Sequence, residues 1–274
     1  MPLVFAAALN HAPGITGRRD NATPAQRDVF FGACARLRER LEAARAEALV
    51  VVSPEHWTNF FLSAMPAFCV GRGESHWGPV EDEPFLKIPR TRVPGAPALA
   101  DAIAEVAAEH LDLAYSEELR LDHGVMVPLH LLVPAMGLPV VPIIINCLAQ
   151  PLPHMARCWA LGEALRRACD ARAERIGLVC AGGLSHWPAT PRSGKLNVPW
   201  DRDVVDAVLA HDRARLLAYR DDDIVREAGP GGHEIRAWAV LAGATEGLGG
   251  ELLCFEPIPA YAVTGAVLDM RVAA

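Results

Sequence analysis

Short apolar runs alternate along the chain with longer stretches in which apolar residues recur at helical spacing. Short apolar runs predict buried strands, and these lie at residues 3–9, 49–52, 67–70, 113–115, 138–145, 175–180, 252–255 and 260–267. Spacings of three and four predict helices at residues 24–48, 98–110, 153–172, 201–220 and 233–244. Alternating strands and helices are typical of an α/β fold built from βαβ units.

Three segments between these elements have other patterns. Residues 74–95 are rich in proline and acidic side chains and are predicted to form a long loop in the wall of a site. Residues 220–232, acidic and then glycine-rich, are predicted to form a second loop. The polar turn at Asp122-His123-Gly124 leads into an apolar segment, predicted to be a helix with Pro128 in its first turn.

Four histidines lie where a predicted strand or turn ends. His11, His56 and His186 each follow an apolar run, and His123 lies in the tight turn. Open α/β sheets bind ligands at the carboxyl ends of their strands. Histidine is the commonest metal ligand and titrates near neutral pH, so four such positions suggest a site. For any one of them, a hydrogen-bonded loop histidine is the alternative.

The other six histidines are interpreted as structural or exposed, because they fall in predicted loops or on helix faces. They are His76, His110, His130, His154, His211 and His233.

Glu234 opens a predicted helix after a glycine-rich loop. One interpretation is that it complements the helix dipole. The other is that it joins His11 and His56 as a 2-His-1-carboxylate set, which leaves open positions on Fe(II). A zinc hydrolase would use similar ligands plus a water molecule. The chain has no HExxH pair, and donors spread along the sequence do not decide between the metals.

Composition excludes several partners. The net charge of -7, without a run of lysine or arginine, argues against nucleic acid. No apolar stretch approaches the roughly 18–20 residues that span a bilayer. The apolar N-terminus has no basic residue before it, which argues against a signal peptide. Seven scattered cysteines without a CxxC pair favour reduced thiols and a cytoplasmic protein.

The chain resembles the class III extradiol ring-cleavage dioxygenases, because six short motifs occur in the order seen in that family. The motifs are His11-Ala-Pro, Ser53-Pro-Glu-His56-Trp-Thr-Asn-Phe-Phe, Met65-Pro-Ala-Phe-Cys, Leu121-Asp-His123-Gly, Gly182-Gly-Leu-Ser-His186-Trp-Pro and His233-Glu234-Ile-Arg-Ala-Trp238. Each is weak alone, but six in order with compatible spacing make a specific signal over nearly the whole chain.

The resemblance implies a role for each of five residues. His11 and His56 would be iron ligands, with Glu234 as the carboxylate ligand. His186 and His123 would be the catalytic histidines that exchange protons with the substrate. The implied fold is a single α/β catalytic domain over residues 1–274, with a central mixed sheet flanked by helices. The metal site would lie in a deep cleft at the strand ends.

The implied reaction is cleavage of a substituted catechol by a non-haem Fe(II) dioxygenase that inserts both atoms of O2. The product would be a ring-opened muconic semialdehyde. Mn(II) is an alternative metal and 2-aminophenol an alternative substrate. Ser185, Trp57 and Trp187 are candidates for the substrate pocket, with packing as an equal alternative for the tryptophans. A homo-oligomer is expected, and a small α subunit could cover the site.

Two other classes stay open at this point. A zinc-dependent hydrolase would bind similar donors without using oxygen. A non-enzymatic binding protein could keep the same fold, although such a protein has no need for three ligands and two further histidines.

Overall fold

A computed structural model describes residues 3–272 of the chain. Its strands are β1 (Leu3–Leu9), β2 (Ala48–Pro54), β3 (Phe68–Gly71), β4 (Ser75–Gly78), β5 (Thr91–Pro94), β6 (Ala114–Ser116), β7 (Val140–Ile145), β8 (Ile176–Ala181), β9 (Gly249–Ile258) and β10 (Val263–Arg271). Its α-helices are α1 (Gly14–Gly17), α2 (Pro24–Ala44), α3 (Glu83–Leu86), α4 (Pro97–Ala108), α5 (His123–Leu132), α6 (Met155–Asp170), α7 (Val198–Leu209), α8 (Arg213–Ala218), α9 (Asp221–Ala228) and α10 (Ile235–Ala244).

One large mixed sheet organises the molecule. Its strand order is β6-β3-β7-β2-β8-β1-β10-β9. The central strands β7, β2, β8 and β1 are parallel, whereas β3 and β10 run antiparallel to their inner neighbours. The strands β1, β2, β7 and β8 are buried almost throughout, as expected for parallel strands that are covered on both faces.

Helices cover both faces of this sheet. The core on one face includes residues of α4, α6, α7 and α10. The core on the other face includes residues of α2 and α5. The α/β fold with a central mixed sheet flanked by helices is therefore confirmed. Among the described helices, none has both the length and the apolar character needed to cross a bilayer.

Local capping explains where the longest helix begins. Thr23 caps α2 by accepting a hydrogen bond from the backbone N–H of Gln26, and the Gln26 side chain accepts from the backbone N–H of Thr23. Pro24 follows at the first helical position, where a missing N–H costs nothing. The helix ends at Ala44, four residues before the predicted end, because Arg45 adopts a left-handed conformation.

Several sequence predictions about segments were wrong. Residues 74–95 contain the hairpin of β4 and β5 together with α3, and residues 220–232 contain α9. Pro128 lies inside α5 and not in its first turn, because that helix already begins at His123. The helix predicted at residues 201–220 is divided into α7 and α8. Local proline, acidic and glycine content misled the two loop predictions, since tertiary contacts order short elements that have little intrinsic preference.

Candidate metal and active site

Adjacent parallel strands carry the histidines to one edge of the sheet. The strands β2, β8 and β1 lie side by side, with His11 two residues after β1, His56 two residues after β2 and His186 five residues after β8. The carboxyl ends of parallel strands lie at the same edge, so side chains that are distant in sequence meet there.

Two further residues reach this edge from helix starts. His123 is the first residue of α5, whose cap Asp122 accepts a hydrogen bond from the backbone N–H of Gly124 at 2.8 Å. Glu234 ends a short 3-10 turn, Pro230–Glu234, that leads into α10. It therefore lies just before the helix that the sequence predicted it to open.

The three predicted metal ligands converge. The Nε2 atoms of His11 and His56 are 3.3 Å apart. One carboxylate oxygen of Glu234, Oε2, is 3.4 Å from Nε2 of His11, and the other, Oε1, is 3.7 Å from Nε2 of His56. Donors about 2.0–2.2 Å from one cation lie about 3–3.6 Å apart at tetrahedral or octahedral angles. The observed spacing suits one ion.

His123 adds a second combination of donors. One ring nitrogen from each of His11, His56 and His123 lies within 4.8 Å of the others. The ring centroid of His123 is 4.1 Å from that of His56. A three-histidine set and the 2-His-1-carboxylate set therefore share His11 and His56, and differ in whether Glu234 or His123 completes them.

The protonation states suit a cation. Burial lowers the pKa of His11 to about 3, which keeps its imidazole neutral. Burial also opposes ionisation of Glu234, but His186 and His11 hold its pKa well below the usual range. The site thus offers one neutral imidazole and one carboxylate anion. Nδ1 of His11 is buried without a hydrogen-bond partner among the described residues.

A carboxylate orients His56. Nδ1 of His56 lies 3.1 Å from Oδ2 of Asp122, which also accepts from the Thr58 hydroxyl at 3.1 Å. Since the carboxylate accepts, Nδ1 carries the hydrogen and Nε2 is the nitrogen available to a metal. Burial opposes protonation, but Asp122 and then Glu234 raise the pKa of His56 to about 10. Sequence reasoning gave Asp122 no role, although it immediately precedes His123.

His186 is fixed with one nitrogen aimed at the cluster. Its Nδ1 is 2.9 Å from the carbonyl of Leu184, so Nδ1–H donates there. Its Nε2 lies 3.3 Å from Oε1 of Glu234. Burial lowers the pKa of His186, but the charge of Glu234, together with hydrogen bonds to Glu234 and to the Leu184 carbonyl, raises it overall.

Glycines allow this close approach. A Cβ at Gly183 would lie 2.4 Å from the ring of His186 and 2.5 Å from the Glu234 carboxylate. A Cβ at Gly231 would lie 2.3 Å from the same ring. The backbone N–H of Gly183 also donates to Oε2 of Glu234 at 2.6 Å. Gly183 and Gly231 therefore make room for the His186 ring.

The three pocket candidates lie in different environments. Ser185 is buried, and its hydroxyl accepts a hydrogen bond from the backbone N–H of Asn197 at 2.6 Å. Trp187 is 4% exposed and packed, whereas Trp57 is 43% exposed and stacks on Phe61 with the ring centroids 6.4 Å apart. Contact with a substrate stays a prediction for all three.

The fold and the cluster define an α/β protein with a buried, histidine-rich site suited to a metal ion. A family model described as the catalytic LigB subunit of aromatic ring-opening dioxygenase matches residues 5–266. The chain belongs to this family of metal-dependent, extradiol-type dioxygenases and is an aromatic ring-cleaving enzyme. The family implies a catechol and O2 as substrates.

Curated relatives agree with this assignment. Two proteins named 2,3-dihydroxyphenylpropionate/2,3-dihydroxicinnamic acid 1,2-dioxygenase are each 28% identical to the chain. The Rhodococcus sp protein aligns over 91% of both chains, and the Paraburkholderia xenovorans protein over 99% of this chain and 98% of its own. An uncharacterized protein of Escherichia coli K12 has a similar fold, with a TM-score of 0.65, 18% identity and coverage of 98% of this chain and 100% of its own.

Proposed function

We propose that the chain is a non-haem Fe(II)-dependent extradiol dioxygenase that inserts both atoms of O2 into a substituted catechol. The product would be a ring-opened muconic semialdehyde. The convergence of His11, His56 and Glu234, with donor atoms 3.3–3.7 Å apart, carries the proposal. His186 and His123 lie beside these donors, within a chain of this family.

His11, His56 and Glu234 would hold the metal. A metal would displace the Nε2 proton of His56, whose pKa is raised in the metal-free site. Two neutral imidazoles and one carboxylate would then leave a divalent cation with a single net positive charge. Bound Fe(II) supplies open coordination positions for the substrate and for dioxygen. Mn(II) would fit the same nitrogen and oxygen donors.

His186 would move protons to and from the substrate. A catechol loses protons as it binds, and the acceptor must lie near the reacting oxygens with a free nitrogen. Nδ1 of His186 is already engaged by a carbonyl, so Nε2 is the atom that exchanges the proton. His123, whose ring centroid is 4.1 Å from that of His56, is the second histidine able to give or take a proton during ring opening.

Metal analysis of two variants separates the two donor sets. If Glu234 is a ligand, Glu234→Ala loses iron and activity together, while His123→Gln keeps iron and turns over slowly. If the three histidines hold the metal, His123→Gln loses the iron and Glu234→Ala retains it. Iron content by atomic emission after anaerobic loading gives the answer directly.

Oxygen uptake tests the reaction itself. The Fe(II)-loaded chain would be assayed with 2,3-dihydroxyphenylpropionate, protocatechuate, homoprotocatechuate, gallate, catechol and 2-aminophenol, while the product absorbance is followed. The first compound is included because the curated relatives are named for it. We expect stoichiometric uptake and a yellow product with at least one compound. Zinc retention with oxygen-independent hydrolysis would instead support a hydrolase.

The remaining predictions about partners are separate from this test. A homo-oligomer, a small α subunit over the site and a cytoplasmic location stay predictions.

A further inference from the structure

We propose that Glu81 is a positioning residue for His123, and that it presents Nε2 of that ring to the reacting groups. The inference rests on the proposed function, because it assigns how one catalytic histidine is aimed. Nothing in the sequence pattern singled out Glu81, which lies in the segment predicted to be a loop.

One oxygen of Glu81 binds His123 twice. Oε1 lies 3.0 Å from the backbone N–H of His123 and 2.5 Å from its Nδ1. A carboxylate accepts hydrogen bonds, so Nδ1 carries the hydrogen and Nε2 carries the lone pair. Nε2 is therefore the ring nitrogen left for the cluster with His11 and His56.

The backbone brings Glu81 to this position. The N–H of Leu121 donates to the carbonyl of Trp77 at 2.8 Å, and the N–H of Val80 donates to the carbonyl of Leu121 at 2.9 Å. These two bonds align residues 77–81 with the chain that enters α5. Glu81 is thereby placed next to His123.

Two other features hold residues 77–81 in this position. Arg90 donates to the carbonyls of Pro79 and Val80, each at 3.1 Å. Gly78 lies so close to Leu121 that a Cβ there would be 2.7 Å from both its Cβ and its carbonyl oxygen. These contacts of residues 77–80 therefore fix the backbone next to Glu81.

The environment favours a specific role over a solvated one. The side chains of Glu81 and His123 are only 17% and 15% exposed. Oε2 of Glu81 is buried without a hydrogen-bond partner among the described residues, so the carboxylate is committed to His123 through Oε1 alone. A buried carboxylate oxygen without a hydrogen-bond partner lowers the stability of the folded state. A residue present only for stability would not be expected to carry this cost, so the arrangement favours a functional role.

The arrangement repeats the one around His56. There Asp122 engages Nδ1 of His56 and leaves its Nε2 free, as Glu81 does for His123. Carboxylates that orient histidines in metal sites typically change activity or affinity by 10–100-fold when removed. We expect an effect of that size on turnover here.

Kinetics of Glu81 variants test the proposal. Glu81→Ala should lower kcat by about 10–100-fold, with iron content equal to that of the unaltered chain. Glu81→Gln should restore most of the rate, because its amide oxygen can still accept the Nδ1 hydrogen. The matched control Glu83→Gln, an exposed neighbour, should leave kcat unchanged.

A double variant separates positioning from a general structural effect. In a His123→Gln background, Glu81→Ala should change kcat by less than about twofold, because the group it positions is already gone. An equal loss in both backgrounds would overturn the proposal, as would a Glu81→Gln variant no better than Glu81→Ala.

A readout independent of turnover keeps this inference distinct from the proposed function. In the ¹⁵N-histidine-labelled chain loaded with diamagnetic Zn²⁺, the His123 signals, identified by their absence in His123→Gln, should show the Nδ1–H tautomer. Glu81→Ala should lose that preference, and Glu81→Gln should keep it. If no catechol is oxidised but the tautomer behaves in this way, the proposed function fails and the positioning role stands. An Nε2–H tautomer in the unaltered chain would overturn the positioning role.

Discussion

The histidine cluster and the packed pair of helices α6 and α10 are both buried, but they are built in opposite ways. In the cluster, ionisable side chains approach within 3.3–3.7 Å of one another. In the helix pair, glycines bring two backbones together: a Cβ on Gly162 would lie 2.1 Å from the carbonyl oxygen of Val240, and one on Gly243 would lie 2.3 Å from that of Trp159. The charges of ionisable side chains therefore determine the first region, and the small volume of glycine determines the second.

This difference separates function from stability. Substitutions of similar size in the cluster should alter chemistry while the sheet and helices hold the fold. Substitutions in the helix pair should alter the free energy of unfolding while the donor atoms keep their positions.

His186→Phe should give the largest effect on rate with the least effect on metal content. Phenylalanine fills the space between Gly183 and Gly231 but cannot exchange a proton at Nε2. General acid–base groups typically contribute about 10²–10⁴-fold, so kcat should fall by that factor. Oxygen uptake under saturating substrate and iron analysis of the same sample measure both quantities. A fully active His186→Phe enzyme would show that the proton moves through another group.

Gly162→Ala should give the largest effect on stability. The added methyl group collides with backbone atoms of α10, which cannot rotate away as a side chain can. Overpacking in a close-packed core costs about 1–3 kcal/mol and sometimes more, and we expect a loss near the upper end of that range. Denaturant unfolding measures it, with Gly32→Ala as the control because a Cβ there meets nothing within 4 Å. Equal stability of the two variants would refute the tight backbone contact.

Much of the fold was predictable from the sequence because parallel, buried strands give uninterrupted apolar runs. The run Leu3–Leu9 was predicted with the bounds that β1 has in the structure. The turn before α10 was not, since Glu234 falls in a 3-10 turn that no periodicity distinguishes from the helix.

The site was predictable in part. The carboxyl ends of parallel strands lie at one edge of the sheet. Histidines that follow such strands in the sequence, His11, His56 and His186, could therefore be assigned to one site in advance. Glu81 and Asp122 could not, because their importance depends on which ring nitrogen they face. That geometry arises only when residues 77–81 pair with the chain before α5.

The buried carboxyl group of Asp201 predicts a pH-dependent contribution to the free energy of unfolding. It is fully buried, and it accepts hydrogen bonds from the backbone N–H of Ser185 at 2.7 Å and from the Thr264 hydroxyl. Burial raises its pKa from 3.8 to about 6. The folded state therefore binds the proton more tightly than the unfolded chain, and this stabilisation is lost as the pH rises from about 4 to about 6.

The Asp201→Asn variant should remove that term. A rise in the pKa of Asp201 from 3.8 to about 6 corresponds to about 3 kcal/mol as an upper limit. Free energies of unfolding measured at pH 4, 5, 6 and 7 should fall by up to this amount in the unaltered chain relative to Asp201→Asn. Parallel pH profiles of the two proteins would mean that the carboxyl group of Asp201 titrates normally.

His211→Gln should have the smallest effect, and it tests whether the far end of α10 matters to the site. Nε2 of His211 lies 3.0 Å from the hydroxyl of Thr245, which in turn donates to the carbonyl of Leu241 at 2.8 Å. Thr245 follows the last residue of α10, and a ten-residue helix is about 15 Å long, so this contact lies far from Glu234 at the other end. Glutamine can still donate to the hydroxyl. We therefore expect kcat within about twofold and a stability change below about 1 kcal/mol. A large loss of turnover with unchanged stability would mean that α10 transmits strain from its end to the carboxylate, and that charge and volume are not separable in this fold.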